Sequence, residues 1–132
     1  MNTQFKAARV ENYRVSDRSA ADIRYLVIHF TANDGDTAKN NADYFAREAP
    51  GVSAHFFVDE KEIWQSVQEK DIAWHCGTRG MYFHPYCRNA NSLGIELCSR
   101  KQGEKYYFTP ETVKNARNFV RFLMKKYDIP LA

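Results

Sequence analysis

Tyr25-Leu-Val-Ile-His-Phe-Thr-Ala32 begins with a mostly apolar run that leads to a histidine, His29. Small and hydroxylated residues follow at Thr31 and Ala32. Apolar runs bounded by turn residues are typical of buried strands, so the stretch predicts a core strand over residues 24–30. His29 would lie near the C-terminal end of that strand. An imidazole titrates near neutral pH and ligates metals, which makes His29 a candidate metal ligand or proton carrier. A histidine in such a position is nevertheless more often a hydrogen-bonded core residue, and His29 alone does not decide between these functions.

The composition predicts one ordinary globular domain. The chain has 132 residues, of which 44% are hydrophobic, and this is enough for a single buried core. Residues 1–21 are polar and weakly patterned, and we expect them to form an N-terminal arm or a short edge element. Residues 22–132 are then expected to form the domain itself.

Charge and hydropathy exclude several classes of partner. The net charge of +3 is small and the basic residues are scattered, so nucleic acid is not an expected partner. No apolar run is long enough to span a membrane, and no secretory signal is present at the N-terminus. We therefore expect a chain that is made in the cytoplasm and has no membrane partner. The odd number of cysteines, three, argues against a disulfide framework.

Turn residues divide the chain into strands that interleave with helices. Besides the first strand, apolar runs predict strands over residues 52–58, 61–67 and 92–98, with a hairpin turn at 59–61. A polar loop is expected after the last of these strands. This order predicts an α/β fold, in which a central mixed β-sheet is flanked by helices and a site lies at one edge of the sheet.

Two helices are expected, each with a recognisable cap. The first should begin at an Asp36 or Thr37 cap and run to about Glu48. The second should begin at a Thr109 cap and stop at Pro130. Apolar residues at helical spacing are expected to form the buried stripe of the second helix: Val113, Ala116, Val120, Leu123 and Tyr127.

Glu96 is the second candidate for chemistry, beside His29. It lies in Leu93-Gly-Ile-Glu-Leu97, where strand alternation sets its side chain on the face opposite Ile95 and Leu97. A buried carboxylate is costly unless it has a partner or a function. One interpretation is an ion pair with an arginine or lysine of the fold. The other is a general acid or base beside a metal, with a pKa tuned by burial.

The remaining histidines leave alternatives open. His55 alternates with apolar neighbours and fits a hydrogen-bonded structural residue at least as well as a ligand. His75 follows Trp74 at the mouth of a long loop, which suits contact with a substrate. His84 and Cys87, three positions apart in that loop, are an open candidate for a metal-binding pair.

Four segments together resemble the zinc-dependent N-acetylmuramoyl-L-alanine amidases, the amidase type 2 family, which shares its fold with peptidoglycan recognition proteins. The similarity covers about residues 22–131 and looks most like prophage endolysins of Gram-positive bacteria. The segments that carry it, in this order, are Ile28–Ala32, Val52–Phe56, Ala73–Gly77 and Asn91–Glu96.

The resemblance implies an enzyme and assigns it a site. It implies hydrolysis of the amide between N-acetylmuramic acid and L-alanine in peptidoglycan by a zinc-activated water, on the cell wall after release from the cell. His29 then matches the first zinc ligand and Glu96 the catalytic glutamate. Substrate-binding positions correspond to Trp74, His75, Thr31 and Asn91.

The chain also departs from the family pattern. Family members carry two further zinc ligands after the long C-terminal helix, whereas this sequence ends at Ala132, where that segment should begin. We therefore expect a domain that is incomplete at its C-terminal end relative to the family. The missing ligands leave two alternatives to a complete enzyme. One is a binding function without catalysis, either as a muropeptide-binding module or as an inactive amidase fragment. The other is a homodimer that pairs through the exposed C-terminal edge.

Overall fold

The computed structural model describes residues 2–77 and 84–131, which form a mixed five-stranded sheet between two α-helices. The elements are β1 (Gln4–Phe5), β2 (Tyr13–Arg14), β3 (Tyr25–Phe30), α1 (Ala38–Arg47), β4 (Phe56–Val58), β5 (Ile63–Gln65), β6 (Ile72–Ala73), β7 (Ser92–Leu97), β8 (Arg100–Gln102), β9 (Lys105–Tyr107) and α2 (Pro110–Tyr127). The order of strands across the five-stranded sheet is β1-β5-β4-β7-β3.

The sheet confirms the predicted α/β class. Strand β7 runs parallel to both β3 and β4, β4 pairs antiparallel with β5, and β1 pairs parallel with β5. Strand β3 is an edge strand, and Ile28 on it is 50% exposed. Within the described part of the chain, no helix is long and apolar enough to cross a bilayer.

Strands β4 and β5 are shorter than predicted, at Phe56–Val58 and Ile63–Gln65. The residues before β4 form backbone hydrogen bonds with segments other than β5. The amide of Ser53 donates to the carbonyl of Trp74, and the amide of His55 donates to the carbonyl of Gly94. The tight turn needs no glycine, because the Asp59 carboxylate accepts from backbone amides within the turn.

Helix α2 packs on one face of the sheet, and its buried stripe agrees with the predicted one at Ala116, Val120, Leu123 and Tyr127 but not at Val113. Thr109 caps the helix as predicted, since its side chain accepts from the amide of Thr112. Val113 is 37% exposed, whereas Phe119, which was not predicted, is 1% exposed and packs edge-on against Phe56. The buried positions fall at spacings of four, three and four residues: Thr112, Ala116, Phe119 and Leu123. The buried face therefore extends to Phe119 and leaves Val113 at its exposed border.

Helix α1 packs on the opposite face and is held at both ends. Thr37 is its cap, with Oγ1 accepting from the amide of Asn40 at 3.0 Å. Phe45 stacks on Phe57 of the sheet at a centroid distance of 5.6 Å. At the C-terminal end, the buried side chain of Asn12 donates to the carbonyls of Phe45 and Glu48 at 3.0 and 2.9 Å. The N-terminal segment therefore satisfies orphan carbonyls of α1.

The segment after β7 is a hairpin rather than the predicted polar loop. Strands β8 and β9 pair antiparallel, with Gln102 opposite Lys105. Gly103 in the turn has a φ of 62°, a left-handed conformation that glycine adopts without strain. Alternation in this stretch involves charged and aromatic residues instead of a simple apolar pattern, which is why hydropathy did not reveal the strands.

Candidate active site

The floor of the site is formed by alternate residues of β7. Ile95 and Leu97 lie in the core cluster beneath α2, as the alternation predicted. Glu96 therefore points to the other face of the sheet, together with Ser92 and Gly94. This face carries the polar groups, while the α2 face is apolar.

His29 and Glu96 lie side by side on neighbouring strands. In the parallel ladder between β3 and β7 they are directly paired, so the structure brings together the two residues that the sequence singled out. Both line a cavity of about 470 Å³. Its wall is aromatic and apolar at Phe45, Val52 and Trp74.

Glu96 is a mostly buried carboxylate without a partner. Burial raises its pKa to about 7, and the negative charge of Asp36 adds to the rise. Among residues 2–77 and 84–131, no side chain or backbone group forms a hydrogen bond or ion pair with it. The alternative in which Glu96 pairs with an arginine or lysine therefore has no counterpart among these residues. Unpaired, perturbed carboxylates in clefts are typical of functional sites.

His29 is held as a neutral imidazole. Burial lowers its pKa, which favours the uncharged form that ligates metals. Its Nε2 atom lies 3.0 Å from Nδ1 of His75, and the two rings meet edge to face.

Backbone contacts fix the segment that carries Trp74 and His75 over the cavity. The amide of Trp74 donates to Oγ of Ser53 at 3.1 Å, and the Ser53 amide donates back to the Trp74 carbonyl at 2.9 Å. The amides of His75 and Cys76 both donate to Oδ1 of Asn89, at 3.1 and 2.8 Å. Both predicted groove residues, Trp74 and His75, line the cavity.

Thr31 and Asn91, also predicted to bind substrate, are not among the residues that line this cavity. The hydroxyl of Thr31 donates to the Asp36 carboxylate at 3.2 Å. The amide of Asn91 is engaged at both ends, since it accepts from the backbone of Arg88 at 2.7 Å and donates to the carbonyl of Tyr86 at 2.9 Å. In this structure both side chains brace loops around the site.

His55 is a buried structural residue, one of the two alternatives left open by the sequence. Its side chain is 0% exposed, and its Nδ1 accepts from the amide of Gly94 at 3.1 Å. The proton therefore sits on Nε2, which donates to the carbonyl of Asp71 at 2.9 Å. Burial lowers the pKa of His55 to about 4, and the guanidinium of Arg18 contributes to the shift.

This histidine should make folding stability depend on pH. The pKa of His55 is about 4 when folded and 6.5 as an ordinary value, so the unfolded chain binds more protons between these two pH values. Stability is then complete above pH 6.5 and falls by about 3 kcal/mol, at 1.36 kcal/mol per pH unit, as the pH drops towards 4. Urea unfolding across this pH range should show the loss. His55→Gln should flatten the slope, whereas His84→Gln, on an exposed side chain, should leave it unchanged; equal slopes in both variants would contradict the prediction.

The donor set fits zinc only in part. His29 offers a neutral imidazole beside a carboxylate, as catalytic zinc sites do. In the part of the chain that the structure describes, however, no three His, Cys, Asp or Glu side chains come together as one metal site. Nδ1 of His84 is not free to bind a metal together with Cys87, because it already accepts hydrogen bonds from the amides of Tyr86 and Cys87. All three cysteines are free.

Several residues of the site were not found by sequence reasoning. Ser53, Asn89 and Ser92 are ordinary polar residues whose hydrogen bonds depend on chain segments far apart in sequence, and no local pattern marks them. Gly94 did carry a signal, because a glycine inside a strand often marks a close approach by another group. A Cβ atom at Gly94 would lie 2.6 Å from the ring of His75.

An unpaired buried carboxylate beside a histidine in an aromatic cleft is typical of an enzyme active site on an α/β domain. Comparison with known proteins specifies the class further. Residues 19–132 match the N-acetylmuramoyl-L-alanine amidase family. The chain therefore belongs to the N-acetylmuramoyl-L-alanine amidase family.

Individual relatives agree with this assignment. The chain is 31% identical over 129 residues to the N-acetylmuramoyl-L-alanine amidase CwlL of Bacillus licheniformis, covering 92% of this chain and 35% of the relative. It is 36% identical over 104 residues to CwlA of Bacillus subtilis (strain 168), covering 77% and 35%. The chain thus spans about a third of the length of these curated relatives.

Solved structures show the same fold. The structure of PlyL superposes with a TM-score of 0.76 at 29% identity, over 98% of this chain and 77% of that one. The catalytic domain of XlyA gives a TM-score of 0.74 at 28% identity, over 99% and 80%. The predicted fold class and family are therefore both confirmed.

Proposed function

We propose that this chain is a peptidoglycan hydrolase domain that cleaves the amide between N-acetylmuramic acid and L-alanine. The observation that carries the proposal is Glu96, a mostly buried carboxylate that no described residue neutralises, set beside His29 in an open cavity. Its pKa of about 7 allows the group to accept and return a proton near neutral pH. Membership of the amidase family and relatives that are named N-acetylmuramoyl-L-alanine amidases support the same reaction.

His29 is proposed as a ligand of Zn²⁺, although no three potential ligands come together among the described residues. When bound, zinc would supply Lewis-acid polarisation of the scissile carbonyl and would acidify a water molecule. The contribution of the chain is to keep the imidazole neutral by burial and to place it next to Glu96.

Glu96 is proposed to move the proton. The carboxylate accepts a proton from water as the water oxygen bonds to the amide carbon. The carbon–nitrogen bond then breaks, and the proton passes to the departing amine of L-alanine. The products are the lactyl carboxylic acid of the sugar and a free amino terminus on the peptide.

The cavity walls are suited to hold a substrate that is part sugar and part peptide. Trp74 and Phe45 present aromatic surface, while Ser53, Asn89 and His75 present polar groups. We propose Trp74 and His75 as substrate contacts from these positions. Thr31 and Asn91 remain proposals that rest on the family resemblance, since their side chains bond to neighbouring loops.

A non-catalytic muropeptide-binding module is the second candidate. The absence of a complete three-ligand cluster among the described residues favours it. An unpaired buried carboxylate favours the enzyme, because burying a charge costs free energy that a binder does not need to spend. A homodimer through the exposed edge strand β3 also remains a proposal.

Product analysis separates the two candidates. We expect the purified chain, supplied with Zn²⁺, to release new L-alanine amino termini from purified peptidoglycan without new reducing sugar ends. Labelling of amino termini and a parallel reducing-sugar assay would measure both. Saturable binding of muropeptide with no new amino termini would contradict the enzyme and support the binding module.

A further inference from the structure

We propose that His75 is a positioning residue, which holds His29 in the tautomer that carries its proton on Nε2 and leaves the lone pair of Nδ1 free. The inference refines the proposed function, in which His29 is a ligand, but it concerns the ring nitrogens of this chain and can be tested without any reaction. It follows from counting hydrogens along a chain of four groups, from the Arg88 carbonyl through Ser92 and His75 to His29.

The hydroxyl of Ser92 has a single hydrogen to donate. Its Oγ lies 2.7 Å from the carbonyl oxygen of Arg88, which can only accept, so the hydroxyl hydrogen is used in this bond. The same Oγ lies 3.1 Å from Nε2 of His75. Because the hydroxyl has no second hydrogen to donate, Nε2 of His75 must carry a proton and donate it to Ser92.

His29 is the last group in this series of hydrogen bonds. A neutral His75 with its proton on Nε2 has a lone pair on Nδ1. This Nδ1 lies 3.0 Å from Nε2 of His29. Two nitrogen lone pairs repel each other at 3.0 Å, so Nε2 of His29 must carry a proton and donate it to Nδ1 of His75.

The position of the His75 ring is enforced from three sides. Its backbone amide is anchored on Oδ1 of Asn89 at 3.1 Å, and its Nε2 on Ser92. Its face lies so close to the backbone of Gly94 that a Cβ atom there would be 2.6 Å from the ring carbon. Since neither the ring nor the strand can shift freely, the direction of the Nδ1 lone pair towards His29 is set by the fold.

This arrangement has a chemical use. A histidine that ligates a metal through one nitrogen commonly donates from the other to a fixed acceptor, which sets the tautomer and the ring orientation. In this structure the acceptor is another imidazole, where a carboxylate or carbonyl is more usual. His75 thereby acts through His29, besides lining the cavity.

The test is the protonation pattern of the histidine rings, read by long-range ¹H–¹⁵N correlation spectra of the full chain at neutral pH without metal. We expect both His29 and His75 to be protonated at Nε2 and unprotonated at Nδ1. Ser92→Ala removes the acceptor that orders this series of hydrogen bonds and should give mixed tautomers at both rings. Ser19→Ala, the same chemical change on an exposed side chain, is the matched control and should leave both patterns unchanged.

The outcomes separate this proposal from the proposed function. A proton on Nδ1 of His29 in the native chain, or unchanged patterns in Ser92→Ala, would overturn the positioning role whether or not the chain cleaves peptidoglycan. The expected patterns in a chain that releases no amino termini would uphold the positioning role and count against the enzyme alone. Gly94→Ala is a second variant that displaces the ring from the opposite side and should also produce mixed tautomers.

Discussion

Replacing Glu96 with glutamine should lower kcat for amide hydrolysis by roughly 10²- to 10⁴-fold, the usual contribution of a positioned general acid or base. Glutamine has nearly the same shape but cannot accept a proton from water. The cavity and the neighbouring His29 are left in place, because no described residue depends on the carboxylate for a hydrogen bond. Initial rates of amino-terminus release from purified peptidoglycan measure the effect.

The same substitution should not weaken the fold. Burial raises the pKa of Glu96 from 4.5 to about 7, so the ionised carboxylate costs stability increasingly as the pH rises between these values. Glutamine removes that cost, and we expect an equal or higher thermal midpoint at neutral pH. Glu104→Gln, the same chemical change on an exposed side chain, should alter neither rate nor midpoint. Full activity in a folded Glu96→Gln chain would eliminate the proposed role.

Replacing Phe119 with alanine should cost about 3–5 kcal/mol of unfolding free energy, the range for deleting a buried phenylalanine. Phe119 is 1% exposed, and its ring packs against Phe56 with a centroid distance of 4.7 Å. The cavity left behind would lie between α2 and the sheet, in the cluster that also contains Ile95 and Leu123. Urea unfolding at neutral pH gives the difference in free energy.

Val113→Ala is the matched control on the same helix. The side chain is 37% exposed, although its position fits the stripe predicted from helical spacing. We expect a change within about 0.5 kcal/mol, as for most surface substitutions. A larger loss for Val113→Ala than for Phe119→Ala would mean that Val113, and not Phe119, faces the sheet.

Helix caps and strand alternation accounted for much of the fold because they are local properties. Thr37 and Thr109 begin their helices where the sequence placed them, since the cap needs only a side-chain oxygen and an amide three residues later. The border of the buried face of α2 was wrong at Val113, because several apolar residues on a helix compete for that face. Packing against a particular sheet decides that competition.

The candidate site shows the same division between local and long-range information. The sequence alone determined that β3 ends near His29 and that Glu96 faces away from Ile95 and Leu97, because both follow from the periodicity of one strand. Only the tertiary structure decided that His29 and Glu96 are paired, and that His75 lies over Gly94 with Ser92 behind it. Those contacts depend on the parallel register of strands that are distant in the chain, and register is set by packing of the whole sheet rather than by any segment of it.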